Sequence, residues 1–79
     1  MSIYLSQLKI HKTAVIDRLD SDKGGQMLTN KLADMGVYPG KKVEVVFKAP
    51  SGDPIAVDLE GYTLSLRIFE ASMIEVKEV

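Results

Sequence analysis

A chain of 79 residues is one small domain with no room for a second core, because domains run to about 100 to 200 residues. It has no cysteine, which excludes a disulfide framework, a thiolate zinc site, a redox motif and a cysteine nucleophile. Ten Lys+Arg against eleven Asp+Glu leave a formal charge of -1, so no large net field draws nucleic acid or anionic lipid.

A chain of this length buries only about 60% of its unfolded surface, so packing of its 46% hydrophobic residues must supply the stability. The longest stretch without charge, Met1 to Leu8, is far shorter than the roughly 20 residues that span a bilayer, and it lacks the pattern of a signal peptide. The expected protein is soluble and cytoplasmic.

In chain order, Thr13 to Leu19 is rich in β-branched residues and ends at Asp20-Ser21-Asp22, which predicts a strand followed by a helix start. Between Gln26 and Met35 the apolar positions Leu28, Leu32 and Met35 fall at helical spacing. The end of this helix is well marked. Gly36 can supply the left-handed residue just beyond it, Pro39 cannot continue it, and Val37 should then pack on Leu32. Its start is open: Ser21 or Asp22 can cap it, but Gly24 and Gly25 each cost about 1 kcal/mol relative to Ala inside a helix.

After Pro39-Gly40 the period changes to two, with Val43, Val45 and Phe47 expected on one face and Glu44, Val46 and Lys48 on the other. The segment Ala49-Pro50-Ser51-Gly52-Asp53-Pro54 is a loop, and alternation resumes at Ile55, Val57 and Leu59. A tighter turn at Glu60-Gly61 leads to a third strand of the meander through Tyr62, Leu64 and Leu66. Ile68 to Ser72 suits a single helical turn, and Met73 to Lys77 a last strand with Ile74 and Val76 inward. About five short strands with one inserted α-helix predict a mainly β fold, a small SH3-like barrel over residues 1–79, in which closure removes aggregation-prone edges.

Candidate chemistry is sparse. Asp20-Ser21-Asp22-Lys23-Gly24-Gly25 imitates the opening of a calcium-binding EF-hand loop, but Lys31 stands where the bidentate Glu is required, so a strand-to-helix turn is the better reading. His11, the one histidine, is flanked by Lys12 and lies near Lys9, and reads as an exposed loop residue; a transition-metal site there needs ligands from elsewhere. The methionines read as core filling, with Met27 and Met35 near the packing face of the helix. Gly40-Lys41-Lys42 lacks the earlier glycine and the Ser/Thr of a phosphate-binding loop, and nothing supplies a poised base or nucleophile, so neither enzyme activity nor a cofactor is expected.

Lys41, Lys42, Lys48 and Arg67 form a basic rim if their strands adjoin, but Glu44, Asp58 and Glu60 lie among them and stacking aromatics are few, so a mixed solvated face is expected rather than a nucleic-acid site. The loop from Ala49 to Pro54 is left as a stiff segment that suits either a partner contact or a turn that sets register.

The ordered series Leu32-Ala33-Asp34-Met35-Gly36-Val37-Tyr38-Pro39-Gly40, Val43-Glu44-Val45-Val46, Ala49-Pro50-Ser51-Gly52-Asp53-Pro54, Leu66-Arg67 and Glu70-Ala71 resembles the FeoA family. The resemblance runs from about Leu5 to Val76. It implies an SH3-like barrel and a small cytoplasmic accessory protein of bacterial ferrous-iron uptake, acting with the FeoB-type permease and its cytoplasmic GTP-binding domain. A similar domain ends the metal-dependent repressors of the diphtheria-toxin-repressor type, where it serves intra- and intermolecular contacts and can lend metal ligands. A stand-alone metal-sensing or metal-binding domain, or a nucleic-acid-binding barrel, is the alternative. Pro50, Gly52, Asp53 and Pro54 are expected as a contact loop for the permease, with Arg67 and Glu70 as polar neighbours, while Gly36, Pro39, Gly40 and Gly61 are expected to be structural turn residues.

Overall fold

The computed structural model describes residues 2–79. Six antiparallel strands form one sheet in the order β1-β6-β2-β3-β4-β5: β1 (Ser2–Tyr4), β2 (Thr13–Leu19), β3 (Lys42–Lys48), β4 (Ile55–Asp58), β5 (Thr63–Leu66) and β6 (Ile74–Glu78). A 3-10 turn, Leu5–Gln7, follows β1; α1 (Ser21–Gly24) and α2 (Gln26–Asp34) join β2 to β3, and α3 (Ile68–Ala71) joins β5 to β6. The meander and the single turn lie where the apolar period places them. The sequence pattern does not show β1, which is three residues long and forms only because β6 pairs with it through Ser2↔Lys77, Ile3↔Val76 and Tyr4↔Glu75. No ladder joins β1 to β5 among the described residues; instead α3, which follows β5, touches the 3-10 turn that follows β1.

The core gathers one face of this sheet. Ala14, Ile16, Val43, Val45, Ile55, Val57, Leu66, Ile74 and Val76 are buried, at the two-residue spacing of strands. Leu5, Leu8, Leu32, Val37, Leu59, Ala71 and Met73 fill the space from the connecting segments, and every large side chain in the buried set is hydrophobic. Burying a Val, Leu, Ile or Met side chain is worth about 1.5–3 kcal/mol, so this set carries the fold in place of disulfides.

The helix reading needs one revision. Asp20, rather than Ser21 or Asp22, is the cap: its carboxylate accepts from the Lys23 N–H at 3.3 Å. The helix then breaks at Gly25, whose φ of +86° interrupts the ladder, and restarts as α2. Gly24 packs closely against Met73, and a Cβ there would overlap the Met73 sulfur, so this glycine permits close helix packing. Met27 departs from its expected place. It is 87% exposed, whereas Met73 is fully buried and Met35 packs against the core.

The end of α2 is a two-bond cap of the expected kind. The Val37 N–H donates to the Leu32 carbonyl at 2.9 Å and the Gly36 N–H donates to the Ala33 carbonyl at 3.0 Å, with Leu32 and Val37 both buried. The Tyr62 hydroxyl, from the far end of the meander, donates to the Met35 carbonyl beside them. Gly36 has φ +96°, and a Cβ at that position would overlap the Tyr62 hydroxyl.

Phe47 also departs from expectation. The β3–β4 register passes from Val45↔Val57 to Phe47↔Ala56, leaving Val46 as the extra residue of a bulge. Ala56 lies between the buried Ile55 and Val57, so it faces outward and turns Phe47 outward with it, to 53% exposure. A one-residue slip reverses every side chain that follows it, which is why the alternation misplaces this aromatic ring.

Gly36→Ala should lower stability by about 1–3 kcal/mol, because it combines a positive φ with a collision. Gly40 has φ +94° but open space around it, so Gly40→Ala should cost less. Urea unfolding of both variants, and of Gly36→Ala with Tyr62→Phe, checks this: the second change should recover part of the Gly36 loss.

Candidate functional site

The loop of residues 49–54 joins β3 to β4 and is tied from within. The Ala49 N–H donates to the Pro54 carbonyl at 3.1 Å, the Gly52 N–H to the Ala49 carbonyl at 2.7 Å, and the Ser51 hydroxyl to the Asp53 carbonyl at 3.0 Å. Gly52 has φ +91° with open space around it, and the Asp53–Pro54 peptide is cis. Pro50, Asp53 and Pro54 are exposed.

The structure brings Asp53, Arg67 and Glu70 together at the start of α3. The Asp53 carboxylate accepts the Ile68 N–H at 2.9 Å, and the Glu70 carboxylate accepts the Arg67 N–H at 2.8 Å. Both acids therefore satisfy backbone donors that a helical start leaves unpaired. Asp53 fastens the loop to α3 as well as standing at the surface, so reversing its charge would disturb the fold along with any interface.

Exposed apolar side chains flank this fastening. Phe47 lies two residues before the loop, and Ile68 and Phe69 begin the helix that Asp53 holds; their exposures are 53%, 37% and 49%. Sequence periodicity missed these exposed side chains. Phe47 was placed inward, and Ile68 and Phe69 sit in a segment too short to show a period; an aromatic residue between two loop-rich stretches was the available signal.

The other turn residues are structural in geometry. Gly40 has φ +94° and its N–H donates to the Ile16 carbonyl at 2.8 Å; Pro39 precedes it. Glu60 and Gly61 both have positive φ, +50° and +118°, and the Leu59 N–H donates to the Tyr62 carbonyl at 2.8 Å, which makes a two-residue hairpin turn matched to the twist of its strands. Glu60 tolerates its φ while its carboxylate accepts the Lys42 N–H at 2.9 Å, closing the start of β3.

The remaining candidates fall elsewhere. A shallow groove of about 110 Å³ is lined by Thr13, Lys42, Val43, Glu44, Asp58 and Glu60, three carboxylates against one ammonium, which is a mixed face and not a basic one. The His11 side chain is 77% exposed, with Nδ1 3.8 Å from Glu44. Among the described residues no three His, Asp or Glu side chains converge as a metal would require. The acidic stretch before α1 is engaged otherwise: Asp20 caps the helix and lies 3.8 Å from Arg18, and Asp17 lies 3.8 Å from Lys77. No helix is long and apolar enough to cross a membrane among the described residues.

A six-stranded antiparallel sheet curled over one apolar core, with short helices at its crossings, defines an SH3-like domain. Comparison with known proteins agrees. A solved FeoA-like protein from Clostridium acetobutylicum superposes with a TM-score of 0.87 at 35% identity, over 99% of this chain and 87% of that one. The FeoA of Stenotrophomonas maltophilia, solved with zinc and described as a procaryotic SH3 domain protein, gives a TM-score of 0.82 at 29% identity, over 95% of this chain and 89% of that one.

The model of the FeoA domain matches residues 3–78, and the chain belongs to the FeoA family, whose domains are non-catalytic accessories of ferrous-iron transport. A curated relative in Porphyromonas gingivalis, a fusion of Fe(2+) transport protein A with the Fe(2+) transporter FeoB, is 36% identical over 73 residues. That match covers 92% of this chain and 8% of the fusion protein.

Asp53→Ala should lower stability by about 1 kcal/mol through loss of the bond to Ile68, and Asp53→Asn should lose less because its amide oxygen still accepts. Chemical denaturation of the two variants measures the difference.

Proposed function

We propose that this protein acts in the cytoplasm by docking on the cytoplasmic portion of an FeoB-type ferrous-iron permease and modulating its transport or assembly. The fusion relative is the observation that supports it most directly, because there one polypeptide holds both an A domain and the transporter. A tethered pair has a high effective concentration, and a stand-alone domain that does the same work must bind its partner from solution.

The contact is the loop of residues 49–54 with the side chains beside it. Pro50, Gly52, Asp53 and Pro54 form a surface already ordered by internal hydrogen bonds, so little entropy is lost on binding. Phe47 and Phe69 add exposed aromatic area, the kind of residue that supplies most binding energy in interfaces, while Arg67 and Glu70 give a polar margin. The groove lined by Glu44, Asp58 and Glu60 repels phosphate, which weighs against nucleic acid as a partner.

The test is a pull-down from the host's membrane extract in mild detergent, with the whole chain as bait and the retained proteins identified. The permease should be retained, and repeated failure to retain it would overturn the reading. Pro50→Glu and Phe69→Asp alter exposed positions and should each reduce retention about tenfold with an unchanged melting temperature. Equal retention by both variants would remove the loop from the interface. A gel-shift assay at low salt should show no complex with DNA or RNA.

A further inference from the structure

The two ends of the sheet are not alike. At one end β1 spans three residues, and the Tyr4 N–H is taken by the Gln7 side chain at 2.9 Å. At the other end β5, Thr63-Leu64-Ser65-Leu66, has neither charge nor proline, and its β4 ladder shows no bulge. It therefore lacks the charge, the proline and the bulge that commonly keep an edge from pairing, and its four-residue length is the one guard of that kind it has.

The hairpin turn fixes which groups that edge presents. Leu59 and Tyr62 are hydrogen-bonded across the turn, and bonded and non-bonded pairs alternate along an antiparallel ladder. In the register Asp58↔Thr63, Val57↔Leu64, Ala56↔Ser65, the bonded partners are Val57 and Leu64. The N–H and carbonyl groups of Thr63 and Ser65 thus point away from β4, and neither residue has another backbone partner among the described residues.

We infer that β5 pairs antiparallel with β5 of a second copy of this chain, about a two-fold axis at Leu64. Thr63 of each copy then lies opposite Ser65 of the other, so all four open groups on each strand edge are satisfied at once. Residues opposite one another share a face, so Leu64 meets Leu64, and this half-buried side chain extends the core across the axis. The same register sets Arg67 opposite Gly61, next to Glu60. Arg67 and Glu60 are both exposed, form no ion pair within their own chain among the described residues, and have opposite charge; one Glu60 oxygen accepts the Lys42 N–H, which leaves the other for Arg67. The two-fold axis makes this contact twice. A register centred on Ser65 is poorer, because it would pair Thr63 with the Arg67 N–H, which Glu70 already holds.

So small a seam gives a weak dimer, with a dissociation constant on the order of 0.1 mM. Sedimentation equilibrium of the whole chain up to about 1 mM should show the dimer, and exchange of the Thr63 and Ser65 amides should slow as concentration rises. Ser65→Pro removes an N–H that β4 does not use and should leave the monomer folded while abolishing association. Ser65→Lys, the usual guard of an edge strand, serves if the proline variant fails to fold, and Arg67→Glu should weaken association at least tenfold. A monomer throughout that range, a dimer whose Thr63 and Ser65 amides exchange as fast as the monomer's, or undiminished association by the Ser65 variants would overturn the inference.

Discussion

The two halves of the sheet meet through a single strand, and most of the molecule depends on how narrow that meeting is. β2 pairs with β3 only at Thr13↔Glu44, Ala14↔Val43 and Val15↔Lys42, while its ladder with β6 runs on to Leu19↔Ile74. Beyond Val15 the place of β3 is taken by the turn before it: the Ile16 N–H donates to the Lys41 carbonyl and the Gly40 N–H to the Ile16 carbonyl, both at 2.8 Å. The Pro39-Gly40 turn therefore has to arrive at one place, and the cap at Gly36 delivers it there. An error in the end of α2 would be transmitted through Val37 to the strand seam itself.

This dependence explains why so many special backbone conformations gather in so few residues. Gly36, Gly40, Glu60 and Gly61 all have positive φ, and Tyr62 and Glu60 reach back from the meander to bond Met35 and Lys42. Each link joins segments distant in sequence around the seam. In a chain without cysteine, these polar ties and the buried apolar set share the task of fixing one topology.

Much of this was legible in the residues. Gly36 followed by Val37 announced the helix end because the cap is a local device with local chemistry. The strands of the meander were legible because alternation at Val43, Val45, Ile55 and Val57 reports a buried face. Phe47 was not, since a bulge is set by pairing with β4 and leaves no mark on the period. β1 was missed for a related reason: three residues carry no pattern, and their conformation comes from β6, more than seventy residues away in the register Ser2↔Lys77. In the candidate site the loop was visible through its prolines and glycine, but the attachment of Asp53 to Ile68 was not, because no spacing rule links a carboxylate to a helix start fifteen residues later. Met27 was misplaced because it adjoins Leu28 in sequence: Leu28, Leu32 and Met35 form the packing face as their spacing indicates, and Met27, one position earlier on the helix, points to solvent.

The pairing of β1 with β6 places the first and last strands side by side, with Ser2 opposite Lys77 at one border of the sheet. Both chain ends consequently leave the domain from neighbouring points. Such a module can be spliced into a longer polypeptide, at either end or as an insert within a loop, without moving any strand. The loop of residues 49–54 and the rim of β5 belong to other strands than the pair that carries the two ends. Architecture of this kind suits a part that is, in the Porphyromonas gingivalis relative, a small fraction of a much larger transporter polypeptide.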